Sequence, residues 1–192
     1  MMRLAIFASG NGSNFQAIAD AIKEGNLDAE IRLVVCDRED AYVMERAKFE
    51  DIPVFSFSSK KYKNKTAYER EIVDELHSHK VEFIVLAGYM RLIGPTILGI
   101  YSHRIVNIHP SLLPAFPGKD AIGQAINEKV KETGVTIHYV DEGMDTGPVI
   151  AQKAVPVLAG DTKDILQGRI QETEHELFPK VLQQLSQERQ HT

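Results

Sequence analysis

Two polar residues at alternate positions of an apolar run, Asn107 and His109 in Arg104–Gly118 (RIVNIHPSLLPAFPG), have the composition of a proton-transfer site. A histidine can act as general acid or base, and an asparagine can donate a hydrogen bond to an oxygen that gains charge. In an extended strand Ile105, Asn107 and His109 share one face, while Val106 and Ile108 share the other. Pro110 ends the strand, Pro114 and Pro117 stiffen the loop beyond it, and Gly118 provides a position without a Cβ. The plain structural alternative is a buried histidine and asparagine that only satisfy nearby backbone groups.

Two further stretches could complete such a site. Asp145 lies in Glu142–Gly147 (EGMDTG), where Gly143 and Gly147 are expected to let the turn fold back over the sheet edge. A carboxylate beside a histidine favours the imidazolium, which would couple Asp145 to His109, although spacing alone does not bring them together. Near the start, Gly10–Asn14 (GNGSN) follows an apolar strand and opens a helix, so Gly12, Ser13 and Asn14 could offer N–H groups to a phosphate at a helix N-terminus. An ordinary tight turn is the alternative. The stretch is not a dinucleotide fingerprint, because Phe15 stands where the third glycine belongs, and Asp37 at the end of the second strand does not rescue that reading. The lysines between Lys60 and Lys65 read as a solvated loop.

The elements that must position these residues alternate regularly. Continuous apolar runs at Arg3–Ala8, Ile31–Cys36, Val54–Phe57, Phe83–Ala87 and the run ending at His109 are separated by amphipathic segments, the pattern of a doubly wound, mostly parallel α/β sheet. Ligands in such sheets sit beyond the carboxyl ends of the strands. Helices are expected at Phe15–Ile22, started by a Ser13/Gln16 capping box, at Ala41–Phe49, from a Thr66/Glu69 box to about His79, at Thr96–Tyr101 and at Ala121–Glu132. Val135–Asp141 and Val149–Val157 alternate polar and apolar residues, which predicts an antiparallel extension. A long helix from about Thr162 would face Ile165, Leu166, Ile170, Leu177, Val181, Leu182 and Leu185 inward, be kinked or divided at Pro179, and fray over Ser186–Thr192.

Composition narrows the class. A chain of 192 residues, 43% hydrophobic and 26% charged, is expected to form one domain, with residues 1–103 carrying the phosphate turn and 104–190 the catalytic stretch. A net charge of −5 argues against a nucleic-acid partner, and no apolar run is long enough for a membrane span. One cysteine, Cys36, suits a reducing cytoplasm, and His77, His79, His103, His138, His175 and His191 show no metal-ligand spacing and read mostly as surface.

The run Asn107–Pro114 (NIHPSLLP), together with Gly10–Asn14 and Asp145–Pro148 (DTGP), resembles the folate-dependent formyltransferase family over essentially the whole chain. The phosphate turn favours the branch that acts on 5-phosphoribosylglycinamide; the branch acting on methionyl-tRNA carries an extra domain. This resemblance implies a formyl donor, 10-formyltetrahydrofolate, with no metal and only small-molecule partners, in a monomer or homodimer. It implies Asn107, His109 and Asp145 as the catalytic trio, and Gly12, Ser13, Asn14, Gln171 and Glu174 as contacts to the ribonucleotide. Lys65, Met90, Arg91, Leu92, Ile93 and Asn107 would meet the folate. Lys65 replaces a common arginine, and Pro117–Ile122 departs from the usual P-G-x-H-A-H. Formyl transfer to another amine, hydrolysis of the formyl donor, and a non-catalytic binding module are the competing readings.

Overall fold

A computed structural model describes residues 1–191. The elements run β1 (Met2–Ala8), α1 (Ser13–Lys23), β2 (Ala29–Cys36), α2 (Val43–Phe49), β3 (Val54–Ser56), α3 (Lys65–Ser78), β4 (Phe83–Leu86), α4 (Pro95–Ile100), β5 (Ile105–His109), α5 (Ala121–Asn127), β6 (Glu132–Tyr139), β7 (Val149–Pro156) and α6 (Lys163–Gln190). All these strands join one sheet in the order β3-β2-β1-β4-β5-β6-β7. The first five are parallel, whereas β5 with β6 and β6 with β7 are antiparallel, which matches the doubly wound sheet with an antiparallel extension. From β1 the chain moves outward through β2 and β3, then returns to β4 on the other side. The carboxyl ends of β1 and β4 therefore flank the switch point where open α/β sheets bind ligands.

Alternation along the strands divides the core in two. Leu4, Ile6, Val34, Val106 and Ile108 face Phe15 and Ile18 of α1 and Leu166, Ile170, Phe178 and Leu182 of α6. Ala5, Phe7, Val35, Ile84, Leu86 and Ile105 face Tyr68, Ile72 and Leu76 of α3 and Ile97 of α4. Each large apolar side chain so buried contributes roughly 1.5–3 kcal/mol relative to exposure. These layers hold the strand ends still, and the strand ends carry the chemistry.

Several local expectations give way to tertiary packing. Gly12, not Ser13, caps α1, at φ 80° and with no side-chain bond, and the Gln16 side chain turns to Asp20 and Glu50. Asn64 caps α3 by accepting from the Ala67 N–H, so Thr66 lies inside the helix, and Glu69 is buried, accepting instead from the Gly94 N–H at 2.8 Å. The chain leaves α5 at Asn127 and enters β6 at Glu132, because β6 must pair with β7 from Glu132 onward. The long helix starts beside Thr162 as expected, with the Thr162 hydroxyl accepting from the Ile165 N–H as its cap, but Pro179 does not divide it. Ile165 is exposed, and Phe178 takes a core position instead. The Ser186 Oγ donates to the Asp28 carbonyl and Gln190 reaches the Asp28 carboxylate, so the helix stays docked through Gln190; Thr192 lies outside the described residues.

Candidate active site

Asn107 and His109 lie at the carboxyl end of β5, and the antiparallel partner decides what they meet. Register places His138 opposite Asn107 and Thr136 opposite His109. His138, which the sequence pattern assigned to the surface, is only 2% exposed. Its Nδ1 lies 2.8 Å from the Tyr139 carbonyl, which fixes a proton there and leaves Nε2 to accept from the Asn107 amide at 3.3 Å. No signal in a single alternating strand could have found this residue, because only the pairing register brings it beside Asn107.

Asp145 completes the cluster. Its Oδ2 lies 3.5 Å from His109 Nδ1 and accepts from the Gly118 N–H at 2.8 Å, while Oδ1 lies 3.7 Å from His138 Nε2 and 3.5 Å from Asn107 Nδ2. Burial pushes the Asp145 carboxyl up, but His138, the Gly118 N–H and His109 together hold it below the ordinary carboxylate value. The turn is built differently from the glycine hinge expected. Asp145 itself adopts the left-handed conformation, φ 56°, and Gly143 and Gly147 do not. Their role is close approach: a Cβ on Gly147 would strike the Tyr139 carbonyl, and one on Gly143 would strike Thr146. Asp141, which the sequence did not single out, pins the turn by accepting from the Gly143 N–H and the Thr146 hydroxyl.

His109 is 5% exposed, and its second nitrogen, Nε2, lies 2.8 Å from the Phe116 carbonyl in the proline-rich loop. A carbonyl and a carboxylate, both acceptors, thus face its two ring nitrogens, and the loop that carries Pro110, Pro114 and Pro117 holds the ring in place.

At the end of β1 the turn has the opposite character. Among the described residues, the backbone N–H groups of Gly12, Ser13 and Asn14 meet no backbone acceptor, and they open towards the α1 N-terminus. Asn14 donates to Glu174 Oε2 at 2.9 Å, while its own Oδ1 is buried without a partner. Burial pushes the Glu174 carboxyl up, and the Asn14 amide offsets only part of this. Gln171 stands one helical turn before Glu174 on α6, half-buried.

Beyond β4, the Met90–Ile93 stretch splits by side chain. Met90 and Leu92 are exposed, whereas Ile93 turns into the core and can offer a ligand only its backbone. Arg91 Nε donates to Asp37 at 2.8 Å; Asp37 also accepts from Ser9 Oγ at 2.5 Å, and Ser9 Oγ accepts from the Met90 N–H at 2.9 Å. Asp37 therefore secures this turn rather than a nucleotide ribose. Lys65 begins α3 with its stem beside Gly94, next to the same turn, and Lys60, Lys61 and Lys63 are exposed as a solvated loop should be. No group of three or more histidine, cysteine, aspartate or glutamate side chains among the described residues could hold a metal. Among the described residues no helix is long and apolar enough to cross a membrane.

Open N–H groups after β1 and a buried Asn/His/Asp cluster after β5, at the carboxyl ends of one sheet, suit an enzyme that transfers a group between two small substrates. The formyl transferase family model matches residues 2–182, and the chain belongs to that family. It is 56% identical over 185 residues to a phosphoribosylglycinamide formyltransferase of Bacillus subtilis, covering 96% of this chain and 95% of that protein. The corresponding protein of Escherichia coli is 39% identical over 181 residues, covering 94% of this chain and 85% of its own length. A crystal structure of glycinamide ribonucleotide transformylase 1 from Geobacillus kaustophilus superposes with a TM-score of 0.94 at 62% identity, covering 96% of this chain and 98% of the other.

Proposed function

We propose that this protein transfers the formyl group of 10-formyltetrahydrofolate to the amine of 5-phosphoribosylglycinamide, a step of purine synthesis. The observation that carries this reading is the pair of polar clusters at the carboxyl ends of parallel strands: open N–H groups with the Asn14–Glu174 bond after β1, and the Asn107/His109/Asp145 cluster after β5. The first suits a phosphorylated ribose, the second a carbonyl under attack by an amine. The exposed Met90 and Leu92 beside Lys65 offer a flat apolar ring a surface with a cation close by. Residues 1–192 act as one formyltransferase domain, whose halves the Asn14–Glu174 bond joins.

In the reaction the acceptor nitrogen attacks the formyl carbon, the bond from that carbon to the folate nitrogen breaks, and one proton passes from the attacking to the leaving nitrogen. Asn107 is the amide donor for the oxygen that becomes negative; its 3.5 Å contact with Asp145 is long enough for an oxyanion to displace. His109 contributes positive charge beneath that oxygen, and Asp145, kept ionised, receives the proton from the attacking amine and relays it. The same reading makes the protein cytoplasmic, a monomer or homodimer, with neither nucleic acid nor membrane as partner.

A spectrophotometric assay of folate release tests this. Release that requires 5-phosphoribosylglycinamide and yields its formyl derivative is the expected result. Release without any acceptor would make the protein a hydrolase of the formyl donor, and release only with a different amine would change the substrate.

A further inference from the structure

The anion turn is not held by its own side chains. Gly12 caps α1 without a side-chain bond, and the grip comes from Arg46 on α2. Arg46 Nε donates to the Asn11 carbonyl at 2.8 Å and Nη2 to Asn11 Oδ1 at 2.8 Å, while Nη1 reaches Gln16 at 3.4 Å. The guanidinium lies over the Tyr42 ring, 5.0 Å from its centroid, and the Val43 N–H donates to the Gly10 carbonyl at 3.1 Å, so α2 holds the turn at two points. Val43 also occupies the space a Cβ on Gly12 would need, coming within 2.6 Å of it.

This grip sets the direction of the ligand-binding groups. A trans peptide is planar, with its C=O and the following N–H pointing in opposite directions. Fixing the Asn11 carbonyl on Arg46 therefore turns the Gly12 N–H away from Arg46, at the head of the α1 N-terminus. Among the described residues no carboxylate lies within ion-pair distance of Arg46. Its positive charge thus stays available beside the turn in a chain of net charge −5.

We propose that Arg46 is a positioning residue for the acceptor's phosphate: its fork on Asn11 aims the Gly12–Asn14 N–H groups, and so sets the preference for a phosphorylated over an unphosphorylated acceptor. The assignment rests on the proposed function for the identity of that acceptor.

Arg46→Ala, Arg46→Gln and Arg46→Lys are compared with the parent in steady-state kinetics. The acceptors are 5-phosphoribosylglycinamide and the same riboside without phosphate, and calorimetry with ribose 5-phosphate reads binding without formyl transfer. Arg46→Ala and Arg46→Gln raise KM for the phosphorylated acceptor and Kd for ribose 5-phosphate by about tenfold or more, with kcat and the constants for the riboside and the folate within about twofold. Arg46→Lys falls with them, because lysine keeps the charge but cannot make the two-point fork. A phosphate preference left intact in Arg46→Ala, or restored by Arg46→Lys, overturns the assignment. Arg46-dependent binding of ribose 5-phosphate without any formyl product would leave the assignment standing and overturn the reaction instead.

Discussion

Asp145 and Glu174 are carboxylates nearly removed from solvent at the mouth of one sheet, with 10% of the Asp145 side chain and 8% of Glu174 exposed, yet their surroundings move them in opposite directions. Burial raises both. Around Asp145 it is outweighed by two histidines and the Gly118 N–H, so the group is held below its ordinary range. Around Glu174 a single amide from Asn14 answers it, and the group stays above its ordinary range. Glu174 lies deeper and meets fewer donors than Asp145, and both differences push its carboxyl the other way. In the proposed reaction this division is useful: the proton acceptor remains charged, and the carboxyl near a phosphate dianion can be neutral and donate to a hydroxyl.

The sharpest way to break this comparison is Asp145→Asn, which preserves shape while removing charge. It lowers kcat by about 10³-fold and leaves both KM values within a few-fold, measured by folate release. Near-normal kcat would end the role of Asp145 as proton acceptor. His109→Ala removes the charge beneath the reacting oxygen and lowers kcat by roughly 10²-fold. His138→Ala leaves Asn107 without the acceptor that orients its amide. It lowers kcat by about tenfold, and a His138→Gln variant, which can still accept from Asn107, recovers part of the loss. No recovery in the glutamine variant would show that His138 acts through its charge on Asp145 and not through Asn107.

The same two regions explain what could be read from the sequence. The anion turn is local: a strand, glycines and a helix start in consecutive residues, so Gly12, Ser13 and Asn14 were legible from their order alone. Asn107 and His109 were legible because a strand has a two-residue period. His138 depends on which residue of β6 lies opposite Asn107, and the grip of Arg46 depends on α2 packing beside the β1–α1 turn; neither contact has a local signature. The expected caps at Ser13 and Thr66 failed for a related reason. Each had a competent local pattern, but Gln16 and Glu69 were drawn to Glu50 and to the Gly94 N–H, partners distant in sequence. Pro179 and Ile165 show the limit of periodicity on a long helix, where the exposed and buried faces follow the sheet beneath.

The smallest effect is also the most direct test of the contrast, because it needs no substrate. A carboxyl with a higher pKa in the folded than in the unfolded chain costs stability once pH exceeds the unfolded value, and the cost grows until pH passes the folded one. Glu174→Gln removes that cost while its carbonyl oxygen can still accept from Asn14. The variant therefore melts at the same temperature as the parent below the ordinary glutamate value of 4.5, gains as pH rises through the elevated folded value, and then holds a constant advantage of about 2–4 °C for each kcal/mol recovered. Asp145→Asn follows the reverse course. Its deficit is complete above the ordinary aspartate value of 3.8 and disappears as pH falls through the depressed folded value. Melting temperatures of both variants across an acid-to-neutral series check this, and two curves of the same sign would show that the histidines and the Gly118 N–H do not offset the burial of Asp145.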